Sequence, residues 1–298
     1  MSPSEAAAVS VIVAVRDAES TLEACLDSLV RLEPPGGPVE LLVVDNGSTD
    51  GTSRVLERFR RHVRVVHEAE RGPAAARNAG IRHARGDWIA FTDADCVVDP
   101  GWLRALLPPL EDPSVGIAGG RIVSIRPCNR IELFGERIHD HERAILRLRP
   151  PYAITMNWAS RREVLETHGL FDEKLLRGSD ADMAYRIHSA GLRIVYRPDA
   201  IVAHRNESTL RGLFDEGFVH GRARAARFRL NPPPEADMRP RVRHSAKGRF
   251  AANVLRCLTG PDRTDAFLAA VFEAGKVAGE FRSPLPRRRS APAGEIRV

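Results

Sequence analysis

Residues 86–96 read GDWIAFTDADC, an apolar run that ends in two carboxylates two positions apart. The run from Trp88 to Phe91 is short and has an aromatic side chain at each end, which is typical of a buried strand. Side chains two apart on an extended backbone point the same way, so Asp93 and Asp95 can converge on one cation. Ligation by oxygen alone suits Mg²⁺ or Mn²⁺. Taken by itself, however, an Asp-x-Asp pair is more often a polar turn.

Three earlier apolar runs, at residues 9–15, 39–44 and 63–66, also have the composition of buried strands. Segments with apolar residues at helical spacing separate all four runs, so the first hundred residues predict the order β-α-β-α-β-α-β. Right-handed crossovers make this a parallel sheet, in which ligands collect at the carboxyl ends of the strands. Asp45, Asp93 and Asp95 each lie at such an end.

The remainder of the chain is less regular. We expect a helix at 182–190 and short strands at 152–157, 193–196 and 200–203. The proline-rich segment 231–234 is a break, and beyond it we expect two amphipathic helices and a disordered end from residue 284. This predicts a domain at 1–230, with a nucleotide-binding half at about 1–120 and an acceptor half at about 121–230. A basic helical extension follows at 231–298.

Charge is unevenly spread. Residues 222–298 carry 17 Lys or Arg against seven Asp or Glu, although the 298-residue chain has a formal net charge of only +6. The four cysteines form no C-x-x-C pair, which argues against a disulfide framework and indicates a reducing cytosol. No apolar stretch reaches the ~20 residues of a membrane helix, and the N-terminus lacks a signal-peptide pattern. We therefore expect a cytoplasmic protein, either free or peripheral at the inner face of the membrane.

Five motifs, in order along roughly residues 9–221, carry a family resemblance. They read VSVIVAVRDAESTL at 9–22, VVDNGSTDGT at 43–52, GPAAARNAGI at 72–81, FTDADC at 91–96 and GSDADMAYR at 178–186. Each is weak alone, but their ordered occurrence is specific. The chain resembles the family 2 glycosyltransferases. This implies the GT-A fold, a Rossmann-like, mostly parallel α/β sheet with helices on both faces, here followed by a helical C-terminal extension.

The resemblance implies where the nucleotide binds. Asp45 would accept the ring N–H of a uracil or guanine, and Arg77 would reach the base and the diphosphate. Val15 and Asp17 in the first loop would contact the nucleoside. There the family usually carries a proline, an aromatic residue and an asparagine, whereas this loop carries alanine, arginine and aspartate.

The resemblance also assigns the metal site. Asp95 would be a direct ligand of Mn²⁺ or Mg²⁺, and Asp93 would either bind the metal, directly or through water, or hold the ribose. His204, which closes the last predicted strand, lies where the family often places a further metal or diphosphate ligand. The alternative for His204 is a packed or solvated side chain.

A catalytic base is expected in the acidic stretch at 178–186. In transfer with inversion, one carboxylate must take the proton of the acceptor hydroxyl as it attacks the anomeric carbon. The resemblance assigns this base to Asp180, although the residue before it is Ser179 where the family commonly has glutamate. Asp180 and Asp182 could instead serve only to stabilise a helix N-terminus.

These inferences predict a metal-dependent, inverting glycosyltransferase that uses a nucleoside diphosphate sugar, with a UDP-sugar favoured over a GDP-sugar. The hydroxyl acceptor could be a saccharide, a lipid-linked molecule or a small molecule, contacted around residues 134–158 and by the tail. A catalytically inactive sugar-nucleotide-binding scaffold is the alternative. A sugar nucleotidyltransferase is disfavoured because the loop after the first strand lacks the glycines of a phosphate loop.

The basic tail has several possible explanations. Its arginines could grip an acidic acceptor, rest on an anionic membrane surface, or form a solvated helix face. Nucleic acid is not expected as a partner, because no aromatic stacking platform accompanies the charge.

Overall fold

The computed structural model describes residues 9–175, 177–230 and 246–282. The predicted break at 231–234 and the predicted disordered end from residue 284 lie outside these ranges. No helix within the described ranges is long and apolar enough to cross a membrane.

Eight strands form one mixed sheet in the order β3-β2-β1-β4-β7-β6-β8-β5. Four of the seven strand pairs are parallel, including all those among β1 to β4. The predicted mostly parallel sheet is therefore confirmed. In chain order the strands are β1 Val9–Val15, β2 Val39–Asp45, β3 Arg64–His67, β4 Trp88–Asp93, β5 Cys96–Val98, β6 Val115–Ser124, β7 Trp158–Arg161 and β8 Arg193–His204.

Register brings the ends of the first motifs together. Val15 of β1 pairs with Asp45 of β2, and Ala14 of β1 pairs with Asp93 of β4. Because these strands are parallel, the polar segments that follow them emerge at one edge of the sheet. The side chains that the sequence marks as functional start from this edge.

Helices cover both faces of the sheet, as predicted. One core cluster packs α1, α2 and α4 on the sheet, and a second packs α3, α6 and α7 on the opposite face. The helices are α1 Leu22–Val30, α2 Thr52–Phe59, α3 Pro73–His83, α4 Trp102–Leu106, α5 Arg130–Ile138, α6 Arg162–Thr167, α7 Ser179–Ser189, α8 Leu210–Leu230, α9 Ala246–Thr259 and α10 Arg263–Phe281.

One strand prediction in the second half was wrong, and two others cover parts of a single strand. Residues 152–157 end in a single 3-10 turn, and the strand β7 comprises the next four residues. Hydrogen bonds with buried side chains take the place of strand pairing in this segment. The backbone N–H of Ile154 donates to His141 Nε2 (2.9 Å). Asn157 Nδ2 donates to the carbonyls of Arg121 (2.8 Å) and Ala200 (2.9 Å). The two short strands expected at 193–203 form one strand, β8, whose pairing with β6 shifts register partway.

The C-terminal helices are tightly packed on one another. A Cβ atom built on Gly217 of α8 would lie 2.2 Å from the carbonyl oxygen of Phe272, and one on Gly275 of α10 would lie 2.1 Å from that of Phe214. Only glycine allows this approach of two helix backbones. Since α8 follows the sheet directly, α10 is fixed against the core, and a small cluster that includes Phe272 and Leu213 fills the contact.

Candidate active site

A cavity of about 1200 Å³ opens at the carboxyl edge of the parallel strands. Six of the eight predicted site residues line it, and the other two, Asp45 and His204, lie outside its lining. The structure therefore brings together side chains that are up to 165 positions apart in the sequence. The six lining residues are Val15, Asp17, Arg77, Asp93, Asp95 and Asp180.

Asp93 ends β4 and is bound by an arginine from the neighbouring helix. Arg77 Nη2 of α3 donates to Asp93 Oδ1 at 2.9 Å, and the Arg77 side chain is 11% exposed. The Arg77 guanidinium carbon also lies 6.0 Å from the centre of the Phe171 ring. Small residues on α3 let it lie close to the sheet: a Cβ on Gly80 would be 2.5 Å from a methyl carbon of Ile12. The carboxylate of Asp93 is thus positioned by a nearly buried cation.

Asp95 lies in the turn after β4 and faces a histidine from the end of β8. Asp95 Oδ2 is 3.4 Å from His204 Nε2, because β5 and β8 pair antiparallel with Cys96 opposite His204. Burial by itself would raise the pKa of Asp95, but the hydrogen bond and positive charge of His204 outweigh it and hold that pKa below its usual value. The same contact, opposed by burial, raises the pKa of His204 to about 9.

Asn206 fixes the ring of His204. Its Nδ2 donates to Ser124 Oγ (2.8 Å) and to the carbonyl of Glu132 (3.0 Å), which leaves Asn206 Oδ1 to accept from His204 Nδ1 at 2.8 Å. The other ring nitrogen, Nε2, therefore faces Asp95. Metal-binding histidines in proteins usually have their second nitrogen held in this way.

By their donor chemistry, Asp93, Asp95 and His204 suit a divalent cation. Two carboxylates and an imidazole nitrogen form an oxygen-rich donor set that suits Mn²⁺ or Mg²⁺, and the Asp95 side chain is 43% exposed toward the cavity. Binding through His204 Nε2 requires that nitrogen to release its proton. Asp93 could contribute the oxygen that Arg77 does not use.

Asp45 is held by its own loop. Its Oδ1 accepts from the backbone N–H (3.0 Å) and the hydroxyl (2.6 Å) of Ser48, and Oδ2 lies 3.5 Å from His67 Nδ1. The next residue, Asn46, lines the cavity instead and binds three backbone groups of the segment that leads into α3. These partners are the N–H of Gly72 (2.8 Å) and the carbonyls of Glu68 (3.0 Å) and Glu70 (2.6 Å).

Asp17 joins the first two loops of the edge. Its backbone has a positive φ of 51°, and its Oδ1 accepts from the backbone N–H of Thr49 at 2.7 Å. That hydrogen bond lowers the pKa of the Asp17 carboxyl. Loss of hydration and the negative charge of Asp50 raise this pKa, but by less. The backbone N–H of Asp17 donates to Ser48 Oγ at 3.1 Å. Aspartate tolerates the left-handed region better than most residues, so it suits this departure from the family pattern.

Asp180 and Asp182 occupy different environments, although both lie in the first turn of α7. Asp180 lines the cavity, and its Oδ1 accepts from the backbone N–H of Ala181 at 2.8 Å. Asp182 is buried and paired with Arg186 of the same helix, whose Nε is 2.9 Å from Asp182 Oδ2. Of the two, Asp180 is the carboxylate that a substrate in the cavity can reach.

The far wall of the cavity comes from segments outside the five motifs. It includes the segment before β7, with Tyr152 and Met156, and the helices α8 and α10, with His220, Phe272 and Lys276. These residues match no motif, and only their positions in the folded chain join them. Acceptor contacts around residues 134–158 and by the tail stay a prediction.

A second group of metal-binding residue types lies on this wall. His139, Glu216 and His220 each offer a ligand atom, and these atoms all lie within 4.8 Å of one another. Glu216 Oε1 is 3.3 Å from His139 Nε2 and 3.9 Å from His220 Nε2. Since the His139 ring packs edge-on against His204 with centroids 4.9 Å apart, this cluster adjoins the Asp95 site. In the sequence, this cluster is indicated only by the four-residue spacing of Glu216 and His220, which puts both on one side of a helix.

The sequence matches a family model and a known protein. The family model described as Glycosyl transferase family 2 matches residues 10–169. The Pre-mycofactocin glycosyltransferase of Mycobacterium tuberculosis is 30% identical over 288 residues, covering 92% of this chain and 58% of that relative. The chain thus spans little more than half the length of that relative.

Solved structures share the fold. The mannosyltransferase PcManGT from Pyrobaculum calidifontis, in complex with GDP-Man and Mn²⁺, matches with a TM-score of 0.65 and 23% identity over 91% of this chain and 86% of that one. S. aureus TarS 1-349 in complex with UDP-GlcNAc matches with a TM-score of 0.54 and 15% identity over 92% and 91%. At these identities the likeness establishes the architecture.

Proposed function

This chain belongs to glycosyltransferase family 2, and we propose that it is a metal-dependent, inverting transferase. It would move a sugar from a nucleoside diphosphate sugar to a hydroxyl acceptor. The observation that carries the proposal is that Asp93, Asp95 and Asp180 line one cavity. Inversion needs a single carboxylate base on the face opposite the leaving group.

The edge of the sheet would hold the donor. Val15, Asp17 and Arg77 line the cavity there, and Asp45 lies at the end of the adjacent strand. Asp45 would accept the ring N–H of the base, and Arg77 would stabilise the diphosphate. Solved proteins of this fold carry GDP-Man in one case and UDP-GlcNAc in another, so either base suits the architecture.

Asp95, His204 and Asp93 would hold Mn²⁺ or Mg²⁺, which when bound supplies charge neutralisation for the departing nucleoside diphosphate. The solved structure of PcManGT contains Mn²⁺. Arg77 keeps Asp93 in position, and Asn206 keeps Nε2 of His204 directed at Asp95.

Asp180 would accept the proton of the acceptor hydroxyl. It lines the cavity, and a Cβ atom built on Gly178, two positions before it, would lie 4.0 Å from Cβ of Ala223 on α8, which supports a position beside the α8 wall. Asp182 cannot take this role, because it is buried and its carboxylate is paired with Arg186.

Calorimetry with UDP and GDP, each with and without Mn²⁺, tests the donor and the metal requirement. Hydrolysis and transfer from a panel of nucleoside diphosphate sugars would then test turnover, with the anomeric configuration of the product followed by NMR. We expect Mn²⁺-dependent binding of one nucleotide and inversion at the anomeric carbon. Nucleotide binding without turnover on a broad acceptor panel would favour the scaffold alternative, and retention of configuration would contradict the assigned role of Asp180.

A further inference from the structure

The helix α9 turns its polar side toward the protein. Ala246 is its buried residue, and Arg249, Asn253 and Cys257, spaced four residues apart, are its partly buried positions. Arg249 forms a bidentate ion pair with Glu273 of α10, in which Nε lies 2.8 Å from Oε1 and Nη2 lies 3.0 Å from Oε2. The contact between α9 and the remainder of the molecule is therefore made in large part by polar groups.

The opposite side of α9 is apolar and faces solvent. Phe250, Val254, Leu255 and Leu258 lie on one side of the helix and are exposed by 38, 39, 60 and 70%. A helix that packs only on its own protein has the reverse arrangement. These four residues, here called the α9 face, belong with Phe267 and Phe281 to the ten large apolar side chains exposed in the described ranges. Most of that exposed apolar surface is thus concentrated in the last two helices.

Positive charge accompanies the α9 face. Lys247 lies on the same side of the helix, with its Nζ 4.4 Å from the centre of the exposed Phe281 ring. Arg263 at the start of α10 is also exposed, whereas Arg256 is exposed on the other side of α9, nine positions from Lys247. α9 contains three basic residues and no acidic one. An exposed apolar stripe with basic residues and no acid is the pattern of helices that lie in the interface of an anionic bilayer.

We propose that the α9 face docks onto a membrane surface that contains anionic lipids. The apolar side chains would enter the region between headgroups and acyl chains, and Lys247 would contact lipid phosphates. A bilayer explains both features of the face, its apolarity and its charge. Self-association explains them less well, because two copies of the face would bring like charges together.

Flotation of the purified chain with lipid vesicles tests this proposal. We expect binding to phosphatidylcholine vesicles that contain phosphatidylglycerol, weaker binding to pure phosphatidylcholine, and a decrease with added salt. The double variant Leu255→Ser/Leu258→Ser should lower the partition coefficient by about tenfold or more. The matched control is Leu133→Ser/Leu146→Ser, which removes two leucines of similar exposure (48 and 50%) from another part of the surface. It should bind vesicles as the unmodified chain does.

Circular dichroism and thermal melting would establish that both double variants fold. Should the α9 pair not fold, Lys247→Glu tests the same face through its charge and should also weaken binding to anionic vesicles. Absence of vesicle binding, or equal loss in both double variants, overturns the proposal. So does a dimer in light scattering that Leu255→Ser/Leu258→Ser dissociates while the unmodified chain ignores vesicles, because the face would then bind a second copy.

Discussion

Two sets of carboxylates face the same cavity and are held in opposite ways. Asp93 and Asp95 have cationic partners from other elements, with Arg77 at 2.9 Å and His204 at 3.4 Å. In the described ranges, Asp180 receives one side-chain hydrogen bond, from the backbone of its neighbour. A carboxylate fixed by cations is positioned for ligation, whereas one without such partners keeps its oxygens for a substrate hydroxyl. These environments favour metal binding by Asp93 and Asp95 and proton transfer by Asp180, a distinction that the residue types alone do not give.

The largest expected effect comes from Asp95→Asn. It removes the carboxylate that faces His204, so Mn²⁺-dependent nucleotide binding should be lost and turnover should fall by about 10⁴-fold, which corresponds to several kcal/mol. Calorimetry with the nucleotide and Mn²⁺ measures the first effect, and steady-state kinetics measures the second.

Glu216→Gln is the matched control for that variant, because it neutralises the carboxylate of the adjoining cluster of His139, Glu216 and His220. It should retain Mn²⁺-dependent nucleotide binding. If Glu216→Gln loses this binding while Asp95→Asn keeps it, the cation belongs to the cluster on α8, and the comparison of the two sets of carboxylates loses its basis.

Asp180→Asn should lower turnover by about a thousandfold, within the usual range for loss of a general base. Calorimetry should show unchanged Mn²⁺-dependent nucleotide binding, because Asp180 is not among the residues assigned to the donor. Asp182→Asn serves as a control: the buried pair with Arg186 should make it a stability variant, visible in thermal melting. Near-normal turnover by Asp180→Asn would refute the base assignment.

Arg77→Lys should have a smaller effect, about a tenfold decrease in kcat/KM expressed as a higher KM for the donor. Lysine keeps the charge but loses the planar guanidinium that binds Asp93 while reaching into the cavity. Arg82→Lys on the same helix is the control, since Arg82 is half exposed and its partners Glu68 and Glu173 are 3.6 and 3.8 Å away. An equal KM for both variants would show that Arg77 does not contact the donor.

The parallel half of the fold could be predicted from the sequence because its information is local. Each apolar run is followed within a few residues by its own polar loop, and parallel register then brings Asp93 beside Ala14 without further information. The candidate site residues at that edge could be predicted for the same reason. The environment of Asp45 could not be predicted, because its hydrogen bonds to Ser48 depend on the conformation of the loop.

The opposite wall could not be predicted, because it depends on contacts between distant segments. The strand expected at 152–157 is replaced by a turn stabilised by His141 and Asn157, whose partners lie up to 43 positions away. The approach of α8 to α10 depends on Gly217 and Gly275, which match no functional motif. Asn206 acts only through His204, so its role is visible only once β8 and the segment around Glu132 are placed together.

His141 adds a third way of holding the site, through an uncharged side chain. It is buried, its Nδ1 donates to the carbonyl of Gly120 (2.7 Å), and its Nε2 accepts from the N–H of Ile154, which lines the cavity. Burial lowers the pKa of His141 from 6.5 to about 4. Because the folded-state value is the lower one, the unfolded chain takes up the proton first as pH falls. The contribution of His141 to stability is therefore complete above pH 6.5 and is lost between pH 6.5 and about 4.

His141→Asn should therefore be less stable than the unmodified chain near pH 7, but the difference should shrink by about 2 kcal/mol at about pH 5. Urea unfolding at the two pH values measures this, with carboxylate effects common to both proteins cancelling in the comparison. The exposed His62 provides the control, and His62→Asn should follow the pH dependence of the unmodified chain. Parallel pH profiles for His141→Asn and the unmodified chain would mean that the pKa of His141 is the same in the folded and unfolded states, which contradicts the lowered value.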